Sequence, residues 1–523
     1  MVSSPSLISE SRAVPYPPSE LLTDVTRNGW SPAQIQLGRA LIVVGILLRG
    51  AIYFANRSLW GDEASLAVNL VNRSFGQLCQ PLDYEQGAPI GFLFIERTAV
   101  LLLGRSEFSL RLIPLLSGIL LLVLLFTLAR RYLSGGMGLA ALAMAVFSKS
   151  LIHYSVELKQ YSSDAMLALL LLCCAMRIHR RLESNKNALR AIGRFAIVST
   201  TAVWFSHPAV FVLAGAACIL AIRECRKSRF NIALPICIAA ALGGASALIH
   251  YFLFARALTH DSYLTTFWAS GMMPLYPPLK TMGWFYEEIP KSLEGLFGKS
   301  GIALVLLFFG LGCISLWRTD RKNLLALLLA PTLITLCASA LHKYPFSDRL
   351  IVFLLPPLIL LLAAGFEGIC HALPHRHVWI AFILLGGLLA EPSVIAVKAA
   401  FNPRVKEEMK PALAYLKSHR KNDDAIYINF HGRPAFEYYA HRYGFDPTQV
   451  LLGDRPSGQV FLQAELSPFL GRKRVWVLRT NPDDKAEHRL QAALAALGAV
   501  EVEQDSYGGV QVSLYDLSGG IVR

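Results

Sequence analysis

Charge is scarce in this chain. Only 16% of its 523 residues are Asp, Glu, Lys or Arg, while 54% are hydrophobic; a soluble domain carries roughly 25% charged residues. A water-soluble fold cannot cover that much apolar surface, so a bilayer must take it. Acids are scarcer than bases, with 36 Asp and Glu against 50 Lys and Arg and a formal net charge of +14. The excess does not point to a nucleic-acid partner, because most of it sits in short loops between apolar runs, where orientation in a membrane explains it. The nine cysteines lack any CxxC pair or His partner at metal spacing, which excludes a disulfide framework and a zinc site and leaves them as small hydrophobes. No repeat period stands out. Gly298-Lys299-Ser300 has the ending of a phosphate-binding loop, but Leu293 stands where the first glycine of that motif belongs. The segment before about residue 34 is polar and rich in Ser and Pro, without the basic-then-apolar order of a cleaved signal, so the first span is expected to stay in the protein.

What the chain has in abundance is long apolar runs. A span needs about 20 mostly apolar residues. Eleven candidates lie at roughly 36–54, 110–129, 136–153, 163–178, 191–207, 208–222, 231–254, 301–317, 323–341, 349–366 and 377–396. The shorter apolar stretch from Pro89 to Leu103 carries Glu96 and Arg97 in its middle and is expected to lie along the interface. Arg130-Arg131, Arg177 with Arg180-Arg181, Arg223 to Arg229, Arg318 to Lys322 and His375-Arg376 fall in alternate loops, which the positive-inside rule places in the cytoplasm. The loops at 56–88, 149–162, 255–300 and 342–348 then face outward. The tail changes character: Val405 to His419, Ala435–Tyr443 and Lys485–Leu497 have helical spacing, Ala425–Phe430 and Arg474–Leu478 resemble strands, and Val500–Glu503 with Val510–Tyr515 resembles a terminal hairpin. The expected architecture is an α-helical polytopic membrane protein with about eleven transmembrane helices. It divides into a cytoplasmic segment at 1–35, a membrane domain at 36–400 and an extracytoplasmic α/β domain at 401–523.

Chemistry-bearing residues gather on the outward face. The first loop contains Trp60-Gly61-Asp62-Glu63, two adjacent carboxylates after an aromatic and a glycine at the end of a span. Asp62 could instead cap a helix running to Asn72. In the second outer segment, Tyr154, Glu157, Tyr161 and Asp164 would share one face if the fourth span began near Tyr154. Lys159 would then point away from that face. Ionisable groups at a membrane edge are costly and usually face a cavity. The third outer group, with Tyr344, Pro345 and Arg349, opens the tenth span with a planar fork suited to a phosphate. Two acidic groups and a base suit a reaction on a lipid phosphate at the outer leaflet. A transporter or flippase of polar lipids would also place charge in a membrane cavity, but it would concentrate polar residues at mid-span and interrupt its helices. In the tail, His431, Arg433 and the Tyr438-Tyr439 pair are suited either to packing or to touching a ligand.

The order of these motifs resembles the GT-C glycosyltransferases, and within them the branch of protein O-mannosyltransferases and the lipid A aminoarabinose transferase. The resemblance spans about residues 36–400. It is carried by Trp60-Gly61-Asp62-Glu63-Ala64, Ala88-Pro89-Ile90-Gly91, Glu107-Phe108-Ser109-Leu110-Arg111-Leu112-Ile113-Pro114, Tyr154-Ser155-Val156-Glu157 with Lys159-Gln160-Tyr161, and Tyr344-Pro345 with Arg349. It implies a polyprenyl-phosphate monosaccharide donor, a lipid, glycan or protein acceptor at the outer face of the plasma membrane, and transfer with inversion. Asp62 then maps to the catalytic carboxylate and is expected to be the base, with Glu63 beside it. Glu157 maps to the second acidic position, and would hold a divalent metal together with Asp62 if one is used. Trp60, Tyr154, Tyr161, Asp164 and Tyr344 are expected to touch substrate. One departure matters. The aminoarabinose enzyme has a basic residue just before its first-loop proline, whereas this chain reads Gln86-Gly87-Ala88-Pro89. Contacts to the donor phosphate must come from elsewhere, from Arg349 in first place and Lys159 in second.

Overall fold

The computed structural model describes residues 29–259, 262–455, 459–480 and 484–519, so most of the polar N-terminal segment lies outside the described residues. The helices that matter for the site are α1 (Pro32–Phe54), α2 (Gly61–Asn72), α3 (Ile90–Leu103), α4 (Glu107–Tyr132), α5 (Gly135–Phe147), α6 (Lys149–Tyr154), α7 (Tyr161–Glu183), α8 (Leu189–Phe205), α9 (Ala209–Arg226), α10 (Phe230–His250), α11 (Pro278–Phe297), α12 (Ile302–Arg318), α13 (Lys322–Ala340), α14 (Leu355–Ala372), α15 (Trp379–Phe401), α16 (Met409–His419) and α17 (Arg433–Tyr443). Capping starts the first long helices: Ser31 with Gln34 and Ser106 with Ser109 each satisfy free backbone N–H groups at a helix start.

Seven described helical segments are long and apolar enough to cross a bilayer: Pro32–Phe54, Glu107–Tyr132, Tyr161–Glu183, Phe230–Ala255, Lys322–Ala340, Asp348–Ala372 and His375–Phe401. The other four expected spans fall on α5, α8, α9 and α12, which are shorter helices or carry more charge. The chain is thus a multi-pass membrane protein, and the count of eleven is not established by helix length. The basic ends of successive helices meet on one side, where Arg180 donates to the Arg131 carbonyl at 2.6 Å and Arg229 to Asn185 at 3.2 Å. Tight crossings hold the bundle together. A Cβ on Gly312 of α12 would stand 2.1 Å from the Leu361 carbonyl oxygen, and one on Gly365 of α14 would stand 2.0 Å from that of Phe308. Only glycine lets these two backbones approach so closely.

Span four corrects the sequence reading. The chain is helical to Tyr154, leaves the helix over 155–160, and resumes at Tyr161. The backbone here is committed elsewhere. Ser155 lies against Gly118 of α4, where an added Cβ would stand 2.5 Å from the Ser155 Cβ, and the Leu158 N–H donates to the Glu63 carboxylate at 2.8 Å. Tyr154, Glu157, Tyr161 and Asp164 are therefore not one helical stripe.

After α15 the chain forms a five-stranded sheet in the order β2-β1-β3-β5-β4, with β1 (Ala425–Ile428), β2 (Leu451–Leu452), β3 (Val475–Thr480), β4 (Val500–Tyr507) and β5 (Val510–Asp516). β1 runs parallel to β2 and β3, while β4, β5 and β3 form the antiparallel part. Strand β3 is buried along its whole length, as a central strand covered on both faces should be. Helices α16 and α17 pack one side of the sheet onto α2, α3 and the start of α4 through a shared apolar core that includes Leu59, Leu66, Phe92, Leu413, Phe436 and Trp476.

Candidate active site

The segment that follows α1 is anchored by α4. Arg111 of α4 grips Glu63 with two bonds, Nε to Oε1 at 2.8 Å and Nη2 to Oε2 at 2.6 Å, and donates to the carbonyls of Arg57 and Ser58 at 2.9 and 3.1 Å. Both side chains are almost fully buried. Successive helix residues project about 100° apart, so fixing Glu63 inward turns Asp62 to the other side, into a cavity of about 510 Å³. Glu63 does not line that cavity.

Two cations converge on Asp62. Arg349 Nη1 lies 2.6 Å from Oδ2 and Lys159 Nζ lies 3.4 Å from Oδ1. Burial alone would raise the Asp62 carboxyl, but Lys159 and Arg349 outweigh it and hold it below the usual carboxylate range. Arg349 belongs to the 3-10 turn Asp348–Leu354 that leads into α14, with its guanidinium 5.3 Å from the Trp268 ring centre and 6.0 Å from that of Tyr161. Lys159 comes from the break in span four. Because that stretch is not helical, the face argument that pointed Lys159 away does not hold, and its ammonium reaches Gln86 Oε1 at 2.6 Å. The uncharged Gln86-Gly87 stretch therefore receives a cation from another part of the chain. Burial pulls the Lys159 ammonium below its ordinary range, partly offset by Asp62.

Of the other expected residues, Trp60, Tyr161, Asp164 and Tyr344 line the same cavity. The Tyr344 hydroxyl donates to the Leu350 carbonyl at 2.8 Å, steadying the Arg349 turn. Asp164 is buried at the cavity wall with one carboxylate oxygen unpartnered among the described residues. Glu157 and Tyr154 stand apart. Glu157 pairs with His153 at 2.6 Å and faces a separate crevice beside Lys406. Burial pushes its carboxyl up, but His153 and then Lys406 and Lys159 hold it well below the usual range. Tyr154 keeps an edge contact with Tyr161 at 5.1 Å and borders a second polar cavity with Glu288 and Asp348.

Several lining residues escaped sequence reasoning. Glu407 and Arg455 approach from the C-terminal part, beside His431, which the sequence offers as a ligand contact, while Trp268 and His207 come from the membrane part. Arg455 closes one edge, paired with Glu85 at 2.8 Å and stacked 4.1 Å over Tyr263. Arg433 pairs with Glu437 and Asp454, and Tyr439 is buried, accepting from the Leu59 N–H and donating to Glu107. As a metal site the residues fit poorly. Asp62 is committed to two cations and Glu157 to His153, and among the described residues no group of three or more His, Cys, Asp or Glu is placed to hold an ion.

Residues 87–243 match the family model described as dolichyl-phosphate-mannose-protein mannosyltransferase. No curated protein matches the chain in sequence. Among solved structures, the apo oligosaccharyltransferase of Archaeoglobus fulgidus is similar over 91% of this chain and 74% of its own, at 11% identity and a TM-score of 0.50. ArnT from Cupriavidus metallidurans in the apo state is similar over 91% of this chain and 98% of its own, at 12% identity and a TM-score of 0.49. Residues 87–243 thus resemble a mannosyltransferase family, and the chain shares its fold with the Archaeoglobus fulgidus oligosaccharyltransferase.

Proposed function

We propose that this protein moves a monosaccharide from a polyprenyl-phosphate donor to a lipid, glycan or protein acceptor at the outer face of the plasma membrane, inverting the anomeric carbon. The observation that carries the reading is the convergence of Arg349 and Lys159 on Asp62 in a cavity at the ends of the spans opposite their basic termini. The family segment, whose description names a dolichyl-phosphate sugar, supports the donor class. Phosphate is a good leaving group, so no acid is needed to expel it; the developing charge needs cations, and two are in place. Arg349 offers a planar fork and Lys159 a point charge. Asp62 keeps both poised while the site is empty, and orients the acceptor nucleophile when they turn to the donor phosphate. Trp60, Tyr161 and Tyr344 supply faces and hydroxyls for a sugar, with Asp164 in the wall behind them.

Incubation of membranes containing the protein with labelled polyprenyl-phosphate sugars, one at a time, tests the reading. One donor should be consumed and its label appear in a new product, and Asp62→Asn should prevent this. Consumption of none of them, with folded protein present, would overturn it.

A further inference from the structure

Four carboxylates border the cavity: Asp62, Glu85, Asp164 and Glu407. Asp62 is held by Lys159 and Arg349, and Glu85 by Arg455. Asp164 belongs to the first turn of a span. Glu407 is like Asp164 in having no cation partner among the described residues, but it alone of the two lies against Gly61, beside Asp62. It lies in the linker between α15 and α16, it is buried, and among the described residues it pairs with no cation. Its Oε2 accepts the Gly61 N–H at 2.8 Å. A Cβ added to Gly61 would stand 3.6 and 3.7 Å from its two oxygens, so the carboxylate lies against the start of α2, one residue from Asp62. The neighbouring Lys406 does not neutralise it. That ammonium sits 3.4 Å from the centre of the Trp60 ring and 4.0 Å from Glu157. The linker therefore sends Lys406 onto Trp60, while Glu407 stands between the cavity and the neighbouring crevice and borders both.

We propose that Glu407 is a further catalytic carboxylate, the group that takes the proton from the acceptor as the acceptor attacks the sugar. The proposal rests on the glycosyl-transfer reading above. In the step, the acceptor's O–H or N–H bond breaks and its proton passes to Glu407. The freed electron pair bonds to the anomeric carbon, and the bond from that carbon to the phosphate oxygen breaks with its electrons leaving on the phosphate. No oxidant, reductant or further reactant is needed. Asp62, bound to two cations, is suited to orienting; Glu407, beside it and uncompensated, is suited to accepting. The groups facing Glu407 are Asp62 and Glu63 on α2, Lys406 next to it, and His431 on the cavity wall, with Lys159 and Arg349 beyond Asp62. Burial, reinforced by Asp62 and Glu63 and opposed by the Gly61 N–H and Lys406, pushes its carboxyl up to about 7. A proton acceptor works best with a pKa near the working pH.

The competing role is structural: a carboxylate capping the N-terminus of α2. Glu407→Gln separates the two, because glutamine keeps a carbonyl oxygen for Gly61 but cannot take a proton. The full chain is placed in liposomes with labelled polyprenyl-phosphate monosaccharides, one at a time, and with total membrane lipid extract plus the glycans and proteins of the cell envelope as the acceptor pool. Wild-type kcat should rise with pH through about 7 and then level. In E407Q the rise should vanish and kcat should fall ~10²–10⁴-fold, with the donor KM little changed, while Glu407→Asp restores part of the rate. The folded protein holds the Glu407 proton more tightly than the unfolded chain. Wild-type stability therefore declines as pH rises from the ordinary carboxylate range to about 7, and E407Q, which cannot ionise, should melt no lower than wild type above neutrality. An E407Q protein that turns over within a few-fold of wild type, or whose rate falls only in proportion to folded protein lost, would overturn the proposal and leave Glu407 a cap. A wild-type protein that consumes no donor would overturn the transfer reading and this proposal with it; an active wild type with an indifferent E407Q would overturn this one alone.

Discussion

Asp62 and Glu63 are neighbours with opposite fates. Glu63 is sealed against Arg111, so Glu63→Gln should leave a buried guanidinium short of its counter-charge. Removing one partner of a buried pair costs ~3–5 kcal/mol, and the variant's melting temperature in detergent should drop sharply. Asp62 faces the cavity, so Asp62→Asn should stop transfer, a loss well beyond the roughly tenfold of one charged hydrogen bond worth ~1.5–3 kcal/mol; equal turnover would remove Asp62 from the chemistry. Arg349→Ala and Lys159→Ala should each raise the donor KM by about tenfold on the same scale, with Arg349→Lys only a partial rescue because the fork is lost. A change in acceptor KM alone would contradict the donor assignment. The pair of acids and the arginine were visible in the sequence because charge is so rare near these spans. Which acid faces inward was not, since that depends on Arg111, 48 residues away in the chain. Glu407 was hidden for another reason: Lys406-Glu407-Glu408 has the composition of a solvated charge run, and only the fold over Gly61 buries it.

At the scale of elements, the apolar runs gave the spans to within about five residues at either end for α1, α4, α10, α13 and α15, because composition alone sets a bilayer segment. The strands and helices of the tail were also legible, from period and turn residues. The break at 155–160 was not. It contains neither Pro nor Gly, and the groups that end the helix come from other elements: Gly118 makes room for Ser155, and Glu63 takes the Leu158 N–H. That break brings Lys159 to Asp62. A second element-scale dependence is the glycine crossing of α12 and α14. Gly365→Val would force apart two backbones in contact and tilt the turn that carries Arg349. The expected result is a lower melting temperature and lost donor affinity together, although Gly365 lies outside the cavity. Loss of stability with donor affinity intact would show that α14 and its preceding turn move independently.

At the scale of the molecule, the proposed orientation puts the basic helix ends inside and the sheet outside. A periplasm-active reporter fused after Asp516 should be active and one fused after Arg131 silent; the reverse would move Asp62 to the wrong side of the membrane. The sheet is not an appendage. Arg57 donates to the Arg404 carbonyl at 2.8 Å, Ser58 to Glu408 at 2.8 Å, and Gly61 to Glu407 at 2.8 Å, while Tyr439 receives the Leu59 N–H at 2.9 Å.

Those four bonds join positions 346 to 380 residues apart in the chain. During synthesis the first span enters the membrane long before their partners have been made. The loop bearing Asp62 must wait without one of its walls until the segment holding those partners has been translated and, in the proposed orientation, carried across. A chain clipped after α15 would lack Glu407, Arg455 and the four bonds that hold the Asp62 loop, and on the proposed function it should be inert. Completion of the polypeptide thus serves as the safety catch on its own chemistry.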